Sequence, residues 1–461
     1  MQTILTTTIQ ESIQNIIKDK QRVLSKENIT KTHLSDGLKH HFGEADILVL
    51  PKTTQEVADI MHYAHTNNIN VTPRGAGSNL VGSTIPNGGI IIDLTLMNKI
   101  IELDKETFTI TVQPGILLQD LQRFVEDHGL FYPPDPGEKK STIAGNISTN
   151  AGGMRAVKYG VTRDYVQALE IVLADGTIIT TGSKNIKDNT GMLLKHLFIG
   201  SEGTLGIITQ CTLKLITKPQ AVETLIIGFD TIQNAISQVT TILQTLTPTA
   251  IEFVERKVAQ WGENYSGIQF PLSHCEAYLI IMLDGIDNEE IKKQRNSLLN
   301  ALGNVEYHVA ESIEQQQQIW AVRSSLVRAV EAVTEQDPLD IVVPINRVAD
   351  FVNYTKELEA QTQVRMLTFG HAGDGNVHVC ILRDDLGNKQ WATKLNAVHQ
   401  ALYTKCLELK GLPSAEHGIG TSKVAYFNEA IPEINRQLMA SIKRVFDPQN
   451  RLNNQVYTYK G

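Results

Sequence analysis

A two-domain α+β protein is the class this sequence predicts, on three observations. From residue 46 to about 219, short apolar strands alternate with helices and glycine loops. From residue 224 to 309 the patterns follow in the order β-α-β-β-α-β. The 461 residues are too many for one hydrophobic core.

Residues 1–41 read as an N-terminal helical segment, and the polar stretch 1–20 lacks the apolar centre of a signal peptide. Residues 46–50 form a short apolar strand, Pro51 ends it, and Thr53 or Thr54 caps a helix running to about Thr66. Residues 70–73 are the next strand, leading into Arg74-Gly75-Ala76-Gly77-Ser78-Asn79-Leu80, and residues 89–94 follow as a third. A Rossmann loop would follow the first strand of such a unit and carry a third glycine, so this is not that fingerprint. It is still an anion cradle, because glycines let successive N–H groups point at phosphate oxygens.

Residues 108–113 read as a strand and 116–128 as an amphipathic helix. The poorly periodic stretch 132–160 holds Pro133-Pro134-Asp135-Pro136-Gly137 and Gly145-Asn146-Ile147-Ser148-Thr149-Asn150-Ala151-Gly152-Gly153. A loop of that length in a compact domain is usually functional, and small polar residues suit a backbone wrapped around a large polar ligand. Residues 168–181 form a hairpin turned by Asp175-Gly176, and Ile199-Gly200-Ser201-Glu202-Gly203-Thr204-Leu205-Gly206-Ile207-Ile208 is a glycine turn feeding a strand. Past residue 220, strands at 224–229, 250–253, 277–283 and 304–309 with helices at 231–246 and 287–302 give a ferredoxin-like order. The expected domains are thus 42–219 and 220–440, with 441–461 as a C-terminal segment.

Chemistry is concentrated in Phe369-Gly370-His371-Ala372-Gly373-Asp374-Gly375-Asn376-Val377-His378 and in Glu416-His417-Gly418. Two imidazoles and a carboxylate make the ligand set of an open divalent-metal site, with one imidazole left for acid–base work. The run Gly373-Asp374-Gly375 rules out a continuous helix, so His371 and His378 must converge through a turn and a strand at 376–382. Glu416 and His417 diverge as neighbours, so one can hold a metal while the other faces a substrate.

Composition narrows the classes. Charged residues are 20% and hydrophobic residues 41%, ordinary for a globular protein. Forty-two basic against fifty acidic residues give a net charge of −8 without a Lys/Arg cluster, which argues against nucleic-acid binding. Cys211, Cys275, Cys380 and Cys406 are far apart, as reduced thiols would be rather than disulfides or an iron–sulfur cluster. No apolar run approaches the roughly 18 residues of a membrane span. A soluble cytoplasmic protein is expected, with peripheral membrane contact left open.

The motifs and their order resemble the FAD-binding domain of the vanillyl-alcohol oxidase and p-cresol methylhydroxylase type. The C-terminal pair Gly370 to His378 and Glu416-His417-Gly418-Ile419-Gly420 narrows this to a resemblance to the FAD-dependent D-2-hydroxy-acid dehydrogenases. That group holds D-lactate dehydrogenase, the glycolate oxidase D subunit and D-2-hydroxyglutarate dehydrogenase. The resemblance implies FAD contacts at Pro73, Arg74, Gly75, Ala76, Gly77, Ser78, Asn79, Pro134, Asp135, Gly145, Asn146, Thr149 and Asn150. It implies further contacts at Gly152, Gly153, Tyr159, Gly160, Glu202, Gly203, Gly206, Ile207, Ile208 and Asn450. It puts a divalent metal, zinc or a similar ion, on His371, His378 and Glu416, polarising the substrate. His417 is then the general base, Arg323 the carboxylate-binding residue, and Asn376 a contact to substrate or to a metal ligand. The implied reaction oxidises a small D-2-hydroxy acid to the 2-oxo acid, with hydride passing to flavin N5.

One departure stands out. Asp337-Pro338-Leu339-Asp340 carries no lysine where the 2-hydroxyglutarate branch has one, which favours D-lactate or glycolate. His62 and His65 read as surface residues and no covalent anchor stands out, so FAD is expected to be non-covalent. A homodimer is expected, and the sequence does not identify the electron acceptor among a quinone, a cytochrome, an electron-transfer flavoprotein and an iron–sulfur subunit. The competing readings are a mononuclear non-haem metal enzyme without flavin, an enolpyruvyl reductase on the same fold, and a non-catalytic flavoprotein subunit of a larger complex.

Overall fold

A computed structural model of the protein describes residues 2–457. Its internal contacts divide the chain into two units, 1–151 with 161–218 and 416–461, and 152–160 with 219–415. This differs from the expected boundaries. Residues 416–440, expected in the second domain, belong to the first because backbone amides after His417 bond to Glu202 and to the Val81 carbonyl. Residues 152–160, expected in the first, belong to the second, where the Tyr159 hydroxyl donates to Asp284 at 2.8 Å.

The first unit holds two main sheets. β1 (Val23–Ser25), β2 (Ile47–Val49), β3 (Val71–Arg74) and β4 (Ile90–Asp93) run in the order β1-β2-β4-β3, with β4 parallel to both β2 and β3. Parallel strands need cover on both faces, which is why Ile47-Leu48-Val49 and Ile90-Ile91-Ile92 are apolar without alternation and all buried. Each such side chain contributes roughly 1.5–3 kcal/mol on burial. The helix Gln2–Ile16 packs Ile9 and Ile13 into this core. The helix Thr54–Thr66 begins at Thr53, whose hydroxyl accepts from the Glu56 amide at 3.2 Å.

The second sheet is antiparallel: β5 (Ile100–Asp104), β6 (Thr109–Val112), β8 (Val166–Val172), β9 (Ile178–Gly182) and β10 (Ile207–Lys214), in the order β5-β6-β10-β8-β9, while β7 (Leu130–Phe131) pairs separately with β11 (Ile216–Thr217). The Asp175-Gly176 hairpin forms as expected, with Gly176 at φ +91°. The long segment 132–160 is less irregular than expected. It contains the helices Ile143–Thr149 and Ala156–Tyr159, the first of them burying Ile143, Ala144 and Ile147.

The second unit is one seven-stranded sheet: β12 (Ala221–Phe229), β13 (Ala250–Glu255), β14 (Ala277–Gly285), β15 (Glu306–Val309), β16 (Gln336–Val342), β17 (Met366–His371) and β18 (Asn376–Leu382). The order is β15-β12-β14-β13-β17-β18-β16, so the expected ferredoxin-like quartet is continued by three strands at one edge. A helix Arg256–Ser266, absent from the sequence expectation, and the long helix Ile313–Glu331 share an apolar core with one sheet face. No helix among the described residues is long and apolar enough to cross a membrane.

Candidate active site

In an antiparallel sheet, directly opposed residues share a face, as do residues two apart on one strand. In register, Glu252 of β13 opposes His371 of β17, which opposes Asn376 of β18. One step along, Phe369 opposes His378, which opposes Asp340 of β16. Glu252, His371, Phe369, Asn376, His378 and Asp340 therefore lie on one face of four adjacent strands. The turn Ala372 to Gly375 that creates this register has no room for a larger final residue. Gly375 sits at φ +85°, and a Cβ there would fall 2.0 Å from the Val343 carbonyl oxygen.

The two histidines converge as the Gly-Asp-Gly turn requires. Their Nε2 atoms are 3.4 Å apart and their rings stand at 88°. Two nitrogens each ~2.0–2.1 Å from a tetrahedral ion are about 3.3 Å apart, so the pair fits a shared divalent metal. Outer partners orient the rings. His371 Nδ1 lies 2.5 Å from Glu252 Oε1, which makes Nδ1 the donor and turns the Nε2 lone pair toward His378. His378 Nδ1 is 3.9 Å from Asp340 Oδ1. Asn376 donates to Asp340 Oδ1 at 2.8 Å and to the Ile341 carbonyl at 3.0 Å, which locks its amide.

Glu252 is fully buried and also takes Arg323, with Nε at 2.8 Å and Nη2 at 2.6 Å from Oε2. Burial pushes the carboxyl up, but the charges and hydrogen bonds of His371 and Arg323 outweigh it and bring its pKa down to about 2. The Arg323 guanidinium also stacks over Phe369, 4.9 Å from the ring centroid. It is thus a buried, paired group, with Nη1 the nitrogen not committed to Glu252.

Asp340, likewise fully buried, accepts from Ser414 Oγ and the Ala415 amide, both at 3.1 Å, and Glu416 is the next residue in the chain. After it, Ile419 and Gly420 donate their amides to Glu202 at 2.8 and 2.9 Å, and Ser83 bonds the same carboxylate. Gly418 and Gly420 are at φ +88° and +53°, and a Cβ on Gly420 would lie 1.9 Å from the Val81 carbonyl oxygen. Glu202, expected at the cofactor, thus has its carboxylate holding the backbone that follows His417.

The cradle around residues 74–80 is built in the first unit. Among the described residues, the amides of Gly75, Ala76, Gly77, Ser78 and Asn79 donate to no protein acceptor, as a polyanion-binding loop requires. A Cβ on Gly75 would meet Thr142 Oγ1 at 2.1 Å, so the loop and the start of the Ile143–Thr149 helix touch only because residue 75 is glycine. These features fit a bound dinucleotide. Arg74 is scaffold. Its buried guanidinium donates to the Ser35 and Thr32 carbonyls at 2.8 and 2.6 Å, and Gly77 folds against it.

The other expected cofactor residues have varied settings. Asn146 is buried, Thr149 Oγ1 donates to the Gly145 carbonyl at 3.2 Å, and Asn150 takes the left-handed cap at φ +52°. Gly203 is at φ +71°, and a Cβ on Gly206 would lie 2.5 Å from Ile171. Ile207 and Ile208 are buried in β10 opposite Val172 and Ile171. Pro134 accepts from Gln122 at 3.1 Å, and Asp135 is buried and pairs with Lys139. Pro73 is within β3. Asn450 is an exposed residue at φ +51°. Gly152, Gly153, Tyr159 and Gly160 fall in the second unit.

Sequence reasoning missed Glu252 and Asp340. The available signal was a single acid inside each of two apolar strands, Ala250-Ile251-Glu252-Phe253-Val254 and Leu339-Asp340-Ile341-Val342. A lone carboxylate there is buried, and buried carboxylates have partners.

Comparison with known proteins adds the family context. Residues 45–182 match a family model described as an FAD binding domain, and residues 218–456 match FAD linked oxidases, C-terminal domain. The chain is 40% identical over 453 residues to a D-lactate dehydrogenase of Anaerostipes hadrus, covering 95% of each chain. It is 36% identical over 415 residues to the glycolate oxidase subunit GlcD of Bacillus subtilis (strain 168), covering 88% of each. Among solved structures it superposes on p-cresol methylhydroxylase with substrate bound at a TM-score of 0.78, with 15% identity and 99% and 98% of the two chains covered.

Proposed function

The chain belongs to the FAD-linked oxidases, in the FAD-dependent D-2-hydroxy-acid dehydrogenase group, and from that premise we propose that it oxidises a small D-2-hydroxy acid of the D-lactate or glycolate type to the 2-oxo acid. The observation that carries the reading is the pair of Nε2 atoms of His371 and His378, 3.4 Å apart on a row of strands, with His371 oriented by Glu252.

In this reading Gly75 to Asn79, with residues 145–153 and the glycine turn at 200–206, hold FAD non-covalently. Bound FAD supplies the two-electron acceptor for the substrate's Cα hydrogen. His371, His378 and Glu416 hold a divalent ion, zinc or similar, and a bound ion lowers the pKa of a hydroxyl it meets. The residues do the rest. His417, one position after Glu416, accepts the hydroxyl proton on its imidazole. Glu252 keeps His371 in the tautomer whose Nε2 is unprotonated. Arg323 offers Nη1 to the substrate carboxylate while Glu252 holds its other nitrogens. Asn376, fixed on Asp340, presents a rigid polar edge beside His378. The absence of a lysine in Asp337 to Asp340 favours a small substrate, since that stretch carries no cation for a second carboxylate.

A flavin-free metal enzyme is disfavoured, because both FAD family models match. The enzyme is read as a cytoplasmic homodimer that passes electrons to a quinone, cytochrome, flavoprotein or iron–sulfur partner. Anaerobic titration of the purified yellow protein with D- and L-2-hydroxy acids tests the assignment. D-Lactate or glycolate should bleach the flavin while L-lactate does not. A flavin that stays oxidised with every 2-hydroxy acid would leave only a non-catalytic flavoprotein.

A further inference from the structure

At the outer edge of the second unit's sheet, well away in sequence from the histidine pair, the loop entering β14 meets the edge strand β15. His274 Nε2 lies 2.8 Å from Glu306 Oε2, and Cys275 Sγ lies 3.9 Å from the same oxygen. The three ligand atoms all fall within 4.8 Å of one another.

The local fold builds this cluster. Glu306 opposes Gly228 of β12, and a Cβ on Gly228 would lie 2.4 Å from Cys275 Sγ. The missing side chain lets the sulfur cross β12 and reach Glu306. The turn delivering Cys275 is held rigid. Leu272 is at φ +56°, the Cys275 amide donates to the Leu272 carbonyl at 2.9 Å, and the Tyr278 hydroxyl sits 3.1 Å from both the Leu272 and Cys275 carbonyls. Cys275 is buried, whereas the His274 and Glu306 side chains are 64% and 51% exposed, so the ensemble opens to solvent on one side.

We propose that His274, Cys275 and Glu306 form a binding site for a borderline divalent cation of the zinc type, separate from the His371–His378 pair and independent of the proposed oxidation. One nitrogen, one sulfur and one oxygen with a fourth position open to water is a zinc ligand set. Ligand atoms around such a tetrahedral ion lie roughly 3.3–3.8 Å apart. At 3.9 Å the Cys275–Glu306 separation lies about 0.1 Å beyond that range, and the exposed His274–Glu306 pair, at 2.8 Å, opens by about half an ångström to enter it. Burial first, then the carboxylates of Glu306, Asp230 and Glu276, push the Cys275 thiol pKa up. The same negative charges favour an arriving cation. On binding, the Cys275 S–H bond breaks, the proton leaves to solvent and the sulfur lone pair goes to the ion, with no change of oxidation state. The ion would tie β15 to the loop before β14, across β12.

Co²⁺ titration of the chelator-treated, FAD-loaded full chain tests this. Thiolate-to-cobalt charge-transfer absorption, read as a difference spectrum, reports sulfur ligation alone. The histidine and carboxylate set of the proposed active site cannot produce it, so the two readings fail independently. The wild type should show the absorption with the amplitude of one thiolate–cobalt centre per chain, and Zn²⁺ should erase it. Cys275→Ser should abolish it and Cys380→Ser should keep it. His274→Ala and Glu306→Gln, both at exposed positions, should each remove a ligand and weaken binding by more than about tenfold. No absorption in the wild type, absorption that survives Cys275→Ser, or affinity unmoved by His274→Ala and Glu306→Gln would overturn the site.

Discussion

Glu252 stands between Arg323 and His371 with no exposure, and its two oxygens are divided between them. A glutamine there keeps the volume but cannot accept from both partners as an anion. Glu252→Gln should lower metal affinity by about 10–100-fold, the range for loss of a partner behind a ligand. Metal content after dialysis checks it, and unchanged occupancy would mean Glu252 serves only Arg323. His417 is the contrasting residue, since as the proposed base it would act on the proton rather than on the ion. His417→Asn should keep FAD and metal while flavin reduction by D-lactate slows by roughly 10²–10⁴ in stopped-flow. Wild-type reduction rates in that variant would place the base elsewhere. The histidines could be found in the sequence because glycine surrounds them. Glu252 and Asp340 could not, because their roles depend on which strands lie beside β17 and β18, and strand neighbours are a tertiary fact.

At the scale of elements, the β17–β18 turn sets the register of the whole row. Gly375→Ala places a methyl against the Val343 carbonyl in a left-handed conformation. A loss of about 1–3 kcal/mol, seen as a lower thermal midpoint, is expected together with loss of activity. Equal stability and activity would show that the turn relaxes without cost. In the first unit, Arg22 clamps the Thr54–Thr66 helix by a two-pronged pair with Glu56, both contacts at 2.8 Å. Burial raises the Glu56 pKa, but the bonds from Arg22 and the Lys52 amide outweigh it and hold it below 4.5. A carboxylate depressed on folding contributes stability above its unfolded pKa and loses that contribution as the pH falls below it. Glu56→Gln should therefore cost roughly 1 kcal/mol at pH 7, discounted for partial exposure. The gap from wild type should close as the pH drops below 4.5. Urea midpoints at several pH values measure this, and a gap constant with pH would exclude the ion pair as its source. The helix Arg256–Ser266 went unseen in the sequence because Gly262 interrupts its pattern, yet Gly262 is needed there. A Cβ would lie 2.7 Å from the Val322 carbonyl oxygen of the neighbouring helix.

For the molecule as a whole, the unused amides of Gly75 to Asn79 and the proposed metal ligands make separable demands. Acid precipitation should release FAD into the supernatant, and a yellow pellet would mean a covalent link. Prolonged chelation should stop turnover while FAD stays bound, and a divalent ion should restore it; full activity in metal-free protein would reduce His371 and His378 to hydrogen-bonding roles. The sequence by itself determined the α+β class, the glycine loops, the ferredoxin-like quartet and the convergence of His371 with His378. All of these follow from local rules: apolar period, turn chemistry and the φ freedom of glycine. Only the tertiary structure decided that Glu202 secures the backbone after His417, that Arg74 is scaffold, that Tyr159 bonds Asp284, and that buried acids orient the histidine row. Those are pairings between residues tens to hundreds of positions apart. Burial makes them obligatory, but the partner is chosen by the fold.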